Sequence, residues 1–233
     1  GIGVDEQGLR LKAVANIDPN AAKIEYKPAS GKIVSQFPAE TMALISGASI
    51  NQYWQQISEQ SKSDENAAAT FNQVRQQLKA TADIDLDKDI FGWMDGEFAI
   101  GAISSNQGLL ASIGFGGVMV FDTSDRKTAE AALAKIDNFA KRNSVKVAER
   151  DIKGKKVTEW QIPQGVLLGH GWLDQDSVFI AMGQPIVETI ATTPAQPLDS
   201  SATFKTATAS LPKPNMGYFY VDMEKIMTLV NRN

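Results

Sequence analysis

The chain has 233 residues, with 23 Lys and Arg against 27 Asp and Glu for a net charge of −4, a single His and no Cys. That balance offers no basic footprint for a phosphate backbone, which removes nucleic acid as a partner, and the missing thiols remove disulfides, thiolate nucleophiles, Fe–S clusters and Cys-ligated zinc. With 43% hydrophobic and 21% charged residues, the composition is that of a globular domain long enough to bury a sizeable core.

Leu9, Leu11, Ala13 and Ala15 alternate with Arg10, Lys12 and Val14 before Asp18-Pro19, the period of two expected of a half-buried strand. Lys23–Lys27 is weakly extended, and Pro28, Ser30 and Gly31 make a connector. Phe37-Pro38 leads into a short strand at Thr41–Ser46. Ser49 is placed to cap a helix over Ile50–Ser61, where Ile50, Tyr53, Trp54 and Ile57 recur at i, i+3, i+4 and i+7. A second helix spans about Asp64–Ala80, with Ala67, Phe71, Val74 and Leu78 on one face and an amide-rich outer face. A helical turn capped by Asp87 runs to Trp93, and Gly96 breaks the chain. Glu97–Ser104 then forms a hairpin, through Asn106-Gln107-Gly108, with a strand within Leu109–Phe121. The Asp122–Asp125 stretch caps a helix over Arg126–Lys141 whose stripe is Ala129, Ala132, Leu133 and Ile136.

Four strands follow, Val145–Ile152, Lys155–Ile162, Val166–Leu173 and Ser177–Met182, joined by Lys153-Gly154, Pro163-Gln164-Gly165 and Asp174-Gln175-Asp176. Links this short join antiparallel neighbours, since a parallel pair needs a long crossover. Pro185 opens a short helix to Thr192, Ser200–Ser210 is another, Met216–Val221 is a strand, and Asp222 caps Met223–Val230. The predicted architecture is a single α+β domain over 1–233, a largely antiparallel sheet with helices packed mainly on one face. A strand-then-capped-helix unit recurs at 37–61 and 211–230, as though the second copy opened a further module. Without an initiator Met, and opening in strand-like sequence, the chain reads as a fragment of a longer one. No apolar run is long enough to span a bilayer and no signal-peptide pattern is present, so no membrane insertion is expected of this stretch.

The candidate chemical motifs are each outweighed by a structural reading. His170, in Leu168-Gly169-His170-Gly171-Trp172, is the only histidine, so a two-His metal site is excluded, and with no Gly-x-Ser-x-Gly elbow it reads as a strand histidine. Asp83, Asp85, Asp87 and Asp89 alternate as the oxygen ligands of an EF-hand loop begin to do. Counted from Asp83, however, Lys88 stands where Gly is needed and Met94 where a bidentate Glu is needed. The plainer expectation is that Ile84 and Leu86 point inward and the acids face water. Gly114-Phe115-Gly116-Gly117 resembles a phosphate-binding turn but precedes strand-like residues, which favours a bulge or a close backbone approach. Asp95 and Glu97 flank Gly96 as an acid pair without any sign of a raised pKa. Trp160 and Trp172, on neighbouring predicted strands, are candidates for a stacking platform for a sugar or an apolar ligand, against a core role.

The string Asp89-Ile90-Phe91-Gly92-Trp93-Met94-Asp95-Gly96-Glu97-Phe98-Ala99-Ile100 follows the Phe37-Pro38-x-x-Thr41 strand and precedes a Leu211-Pro212 segment that ends at Gly217-Tyr218-Phe219-Tyr220-Val221-Asp222. The combination resembles the family catalogued as domain of unknown function 3352, uncharacterised proteins of cyanobacteria and other bacteria, over most of the chain. The resemblance implies a longer parent chain, often with a hydrophobic N-terminal segment, and hence an extracytoplasmic location in the periplasm or envelope. It implies no known activity, no cofactor and no functional residue. The expected function is a non-enzymatic binding or structural module whose partner is a protein or an envelope component. The alternative is a hydrolase dependent on carboxylates or on Ca²⁺ or Mg²⁺, using Asp95, Glu97 or the Asp83–Asp89 run.

Overall fold

The computed structural model describes residues 2–5, 8–13, 32–209, 217 and 219–231, the first two stretches as backbone. The extended stretch expected at Lys23–Lys27 and the Leu211–Met216 approach to the last strand lie outside the described residues. The strands are β1 (Ile2–Asp5), β2 (Gly8–Ala13), β3 (Thr41–Ala48), β4 (Glu97–Ser104), β5 (Phe115–Asp122), β6 (Lys146–Ile152), β7 (Lys155–Ile162), β8 (Gly165–Trp172), β9 (Ser177–Met182) and β10 (Phe219–Asp222). The α-helices are α1 (Ile50–Ser61), α2 (Glu65–Ala82), α3 (Arg126–Arg142), α4 (Gln184–Ala191), α5 (Ala202–Thr208) and α6 (Met223–Val230). Short 3-10 turns lie at Lys32–Gln36, Gly108–Leu110 and Leu198–Ser200, and a wider π turn at Leu86–Phe91.

The strands form one sheet in the order β1-β2-β10-β3-β4-β5-β9-β8-β7-β6, with every pair antiparallel. The α+β class and the antiparallel sheet are those expected from the short links. Helices pack on both faces, the long α3 on one and the shorter α4 and α5 on the other. Val118 and Val120 of β5 and Phe179 and Ala181 of β9 join a core with Ile186, Val187 and Ile190 of α4 and Phe204 of α5. The alternate residues Phe121 and Val178 join a second core with Trp93 and with Ala129, Ala132 and Leu133 of α3. The physical reason lies in the sequence: Val118–Phe121 and Val178–Ala181 are apolar without alternation, the pattern of strands buried on both faces.

Local capping explains most boundaries. Asp64 accepts from the N–H groups of Asn66 and Ala67 at the start of α2, Asp125 from Thr128 in α3, and Asp222 from Glu224 and Lys225 in α6. Asp85, not Asp87, caps the π turn by accepting from Lys88 N–H at 2.9 Å. Ser49 stands before α1 but makes no side-chain cap. It adopts a left-handed φ of 64° and donates its N–H to Gly96 at 3.0 Å, so tertiary contact sets this entry. A buried Leu110 in the 3-10 turn delays β5 to Phe115. Between β7 and α4, Arg150 forks onto both oxygens of buried Glu159 at 2.7 and 3.0 Å and reaches Glu188 at 3.0 Å.

β10 inserts between β2 and β3, pairing Tyr220 with Lys12 on one side and Leu44 on the other. Tyr220 is buried with its ring 5.1 Å from that of Phe204. In α6, Ile226 and Leu229 are half-buried and Val230 is exposed. A chain ending at Ser210 loses the strand that joins β2 to β3. It is expected to unfold at lower denaturant by several kcal/mol, since burying one large apolar side chain contributes roughly 1.5–3 kcal/mol. An unchanged urea midpoint would refute this.

Candidate functional site

The alternation Gly169-His170-Gly171 in β8 has a geometric cause. On one face the glycines make room: a Cβ on Gly169 would stand 2.8 Å from Val187, and one on Gly171 would stand 3.1 Å from Phe179. On the other face His170 and, two residues on, Trp172 project toward α3. β7 pairs with β8 so that Thr158 lies opposite His170 and Trp160 opposite Leu168, which puts Thr158 and Trp160 on the same face as His170. α3 lays Ala129, Ala132, Leu133 and Ala140 on this side of the sheet. Asp137, four residues after Leu133, lies on the flank of that stripe.

Asp137 Oδ1 accepts from Trp160 Nε1 at 2.7 Å and from His170 Nε2 at 2.8 Å. Because a carboxylate only accepts, this bond assigns the Nε2–H tautomer to a neutral His170 and leaves Nδ1 as an acceptor. At the other end of α3 the Arg126 guanidinium lies 4.2 Å from the Trp172 ring centre. It is held there by Glu130 at 2.7 Å and by the carbonyls of Asp174 and Gln175 at 3.3 and 3.1 Å. Between these two anchors runs a groove of about 600 Å³, lined by Thr158, His170 and Trp172 on the sheet and by Arg126, Glu130 and Asp137 on the helix. Lys156 and Glu149, paired at 3.2 Å, close its rim.

The sequence candidates fall as follows. Trp160 and Trp172 share one face and bracket His170, but one ring face of Trp172 is covered by Arg126 and the indole N–H of Trp160 is bound to Asp137. The four alternating aspartates are brought to four different partners. Asp83 pairs with Lys79 at 2.7 Å, Asp85 caps the π turn, and Asp87 accepts from Trp54 Nε1 at 2.7 Å and from Arg75 Nε at 3.1 Å. Asp89, against expectation, is buried, and Lys135 of α3 reaches it at 2.9 Å. Burial pushes the Asp89 carboxyl up, but the Asp85 N–H and the Lys135 ammonium outweigh that and hold it below the ordinary aspartate range. Among the described residues no three His, Asp or Glu side chains are grouped to hold a metal. Gly116 is a close-approach position, where a Cβ would stand 2.7 Å from Ile186 and 2.8 Å from Leu110. Asp95 is bound to the backbone and hydroxyl of Ser124. Glu97 faces Asp122 instead, and neither Asp95 nor Glu97 lines the groove.

Asp137 and Arg126 are among the groove residues that sequence reasoning passed over. Their helix was legible, but nothing local signals that a carboxylate on its flank meets two side chains from strands that follow 23 and 33 residues later.

Fold and site together define a class: an antiparallel α+β module with a polar groove between a helix and the outer strands of its sheet. The model of the family described as Protein of unknown function (DUF3352) matches residues 1–233, the whole chain, and the chain belongs to that family. No curated protein and no solved structure matches the chain.

Two outcomes follow from the electrostatics. Asp137→Ala strips the acceptor from two largely buried donors. It is expected to destabilise the fold by about 2–4 kcal/mol in urea titration, with Asp137→Asn, which keeps an acceptor oxygen, costing less than half as much. Asp122 is half-buried at the end of β5. Burial first, then Glu97 and Asp174, push its carboxyl above the ordinary aspartate range, against the bond donated by Ser177 Oγ. Folding therefore favours the protonated form. This group's contribution is fullest below its unfolded-state pKa and is lost as pH rises through the raised folded value. Asp122→Asn is expected to raise Tm more at about pH 7 than at about pH 4, and equal shifts at both would count against this assignment.

Proposed function

We propose that the protein is a non-enzymatic binding module of an envelope-associated protein and that the groove beside His170 seats an uncharged, hydrogen-bonding ligand of the saccharide class. The observation that carries the reading is the balance of the groove. Its walls hold Arg126, Lys155 and Lys156 against Glu130, Asp137, Glu149 and Asp174, and two of these cations are paired within the rim. A charged ligand finds little net attraction there, and a lipid chain meets charged groups on both walls. A polyol finds acceptors, donors and the edge of an indole. The hydroxyl in the lining is that of Thr158, and Asp137 is committed to orienting His170 and Trp160 instead of activating it, which supports recognition over nucleophilic chemistry. The envelope assignment is supported by the hydrophobic N-terminal segment that family resemblance implies, and its check is immunodetection of the native gene product in fractionated cells.

Titration of the isotope-labelled protein with chitotriose, followed by NMR, tests the seat. Saturable shifts at the Trp172 indole and the His170 ring, with a Kd on the order of 0.1–1 mM, are expected. Thr158→Val should weaken binding at least threefold by removing the hydroxyl opposite His170. No saturable shift with chitotriose removes the saccharide reading. Cleavage of the probe that is lost in His170→Ala replaces it with an enzymatic one.

A further inference from the structure

Beside Asp137 the groove holds two polar groups without a bond to any described residue. His170 gives its Nε2–H to Asp137, but its Nδ1 bonds no described residue and is open to the groove that the ring lines. Thr158 lies directly opposite on β7, and its hydroxyl likewise bonds no described residue. The wall of α3 at this level is apolar: Leu133 and Ala134, one turn before Asp137, line the groove, and Ala134 is exposed. The charged groups that face His170 are all engaged. Asp137 holds its two donors, and Glu149, next in the row beyond Thr158, pairs with Lys156. Arg126 pairs with Glu130, Lys155 donates to the Ala191 carbonyl, and Asp174 accepts from the N–H groups of Asp176 and Ser177.

We infer, resting on the saccharide reading above, that this part of the groove recognises an acetamido group on the sugar. Its N–H donates to His170 Nδ1, its carbonyl accepts from the Thr158 hydroxyl, and its methyl lies on Ala134. An amide points its N–H and carbonyl to opposite sides, so one such group laid across β7 and β8 satisfies both side chains, and a site built to hydrogen-bond a substrate N–H discriminates against analogues that lack it. The acceptor exists only while the ring is neutral. Protonation places a hydrogen on Nδ1, after which a hydroxyl can turn and accept, whereas an amide N–H meets a second donor. The preference for acetamido over hydroxyl is therefore present above the ring's titration and lost below it. His170 is the only histidine of a chain without cysteine, which makes its ring the side chain suited to report between about pH 5 and 8. The raised carboxyl of Asp122 lies outside the groove.

The test compares chitotriose with cellotriose, the matching trimer that carries a hydroxyl in place of each acetamido group. Both are titrated into the isotope-labelled chain at pH values well above and well below the midpoint at which NMR sees the His170 ring protonate. Chitotriose is expected to bind roughly fivefold more tightly than cellotriose above the midpoint, the worth of one net hydrogen bond, and about equally below it. By linkage, saturating chitotriose moves the ring's midpoint to lower pH and cellotriose leaves it in place. Thr158→Val should bring chitotriose to the level of cellotriose and Thr158→Ser should keep the preference, with circular dichroism melts to check that both fold. Equal binding of the two trimers above the midpoint overturns the acetamido assignment while leaving the saccharide reading standing, and binding of neither removes both. A preference that survives protonation of the ring, or a midpoint that chitotriose does not move, overturns the role of Nδ1. Tighter binding of acetyl-trialanine amide than of chitotriose places the amide in a peptide and overturns the proposal as well.

Discussion

The structure depends on two strands that have no face to give to water. β5 and β9 carry Val118-Met119-Val120-Phe121 and Val178-Phe179-Ile180-Ala181, pair directly with each other, and lie near the middle of the sheet. An apolar run without alternation is stable only when both sides are covered. One side is met by α4, whose Ile186, Val187 and Ile190 are buried, and the other by α3 and the Trp93 turn. Away from this pair the sheet is less constrained, and the two directions diverge. Toward β7 and β6 polar residues return on the α3 side, as Thr158, Lys156 and Glu149, and the space beside the helix becomes a groove. Toward β4, β3 and β10 the same side stays apolar, and Ile100, Ile45 and Phe219 remain partly open to water. Polar groove and apolar face are thus two ends of one problem, how a single helix covers a sheet wider than itself.

How α3 is held explains why the groove has a fixed shape. Residues two apart on a helix lie about 200° around its axis, so Lys135 and Asp137 project from opposite flanks. Lys135 meets Asp89 of the π turn at 2.9 Å, and Asp137 meets His170 and Trp160 of the sheet. With both flanks tied, the helix cannot roll about its axis, and Arg126 on Trp172 fixes its first turn. Partly buried ion pairs add little net stability, because desolvation offsets most of the attraction, but they discriminate strongly against packings that leave one partner unmet. The Arg150 fork on Glu159 plays the same part on the opposite face, where its hydrogen bonds to Glu159 and then Glu188 raise the guanidinium pKa further above its ordinary value.

What was legible in the sequence divides along the range of the interactions. Strands with short turns between them, from β6 to β9, and helices with both a stripe and a capping aspartate, such as α3 and α6, are fixed by contacts a few residues long, and their bounds agree closely with expectation. The placement of helices on two faces was encoded too, in the unbroken apolar runs of β5 and β9, but those runs read equally well as ordinary strands until the sheet order is known. The order itself, with β10 inserted beside β3, depends on pairings between residues far apart in the chain, and no local pattern reports them. The groove was half visible. Trp160, Trp172 and His170 stood out by rarity, whereas Asp137, which joins Trp160 to His170, is one carboxylate among the 27 of the chain.

The Asp83–Asp89 run shows why spacing alone misleads. Alternate carboxylates point the same way only while the chain stays extended, and here it does not. Asp83 sits in the left-handed region at the end of α2, with φ of 55°, and the residues from Leu86 onward wind into a π turn. Each change of backbone direction turns the next carboxylate toward a different cation or N–H: Lys79, the Lys88 amide, Arg75 with Trp54, and Lys135. A metal loop must hold its oxygens around one centre, and that requires a tight turn with glycine at its middle, where this sequence has Lys88. The same four acids that would have built a cation site instead secure the junction of α2, the π turn and α3. That junction supports the Trp93 turn, which packs on Phe121 of β5 and Val178 of β9 where they needed cover.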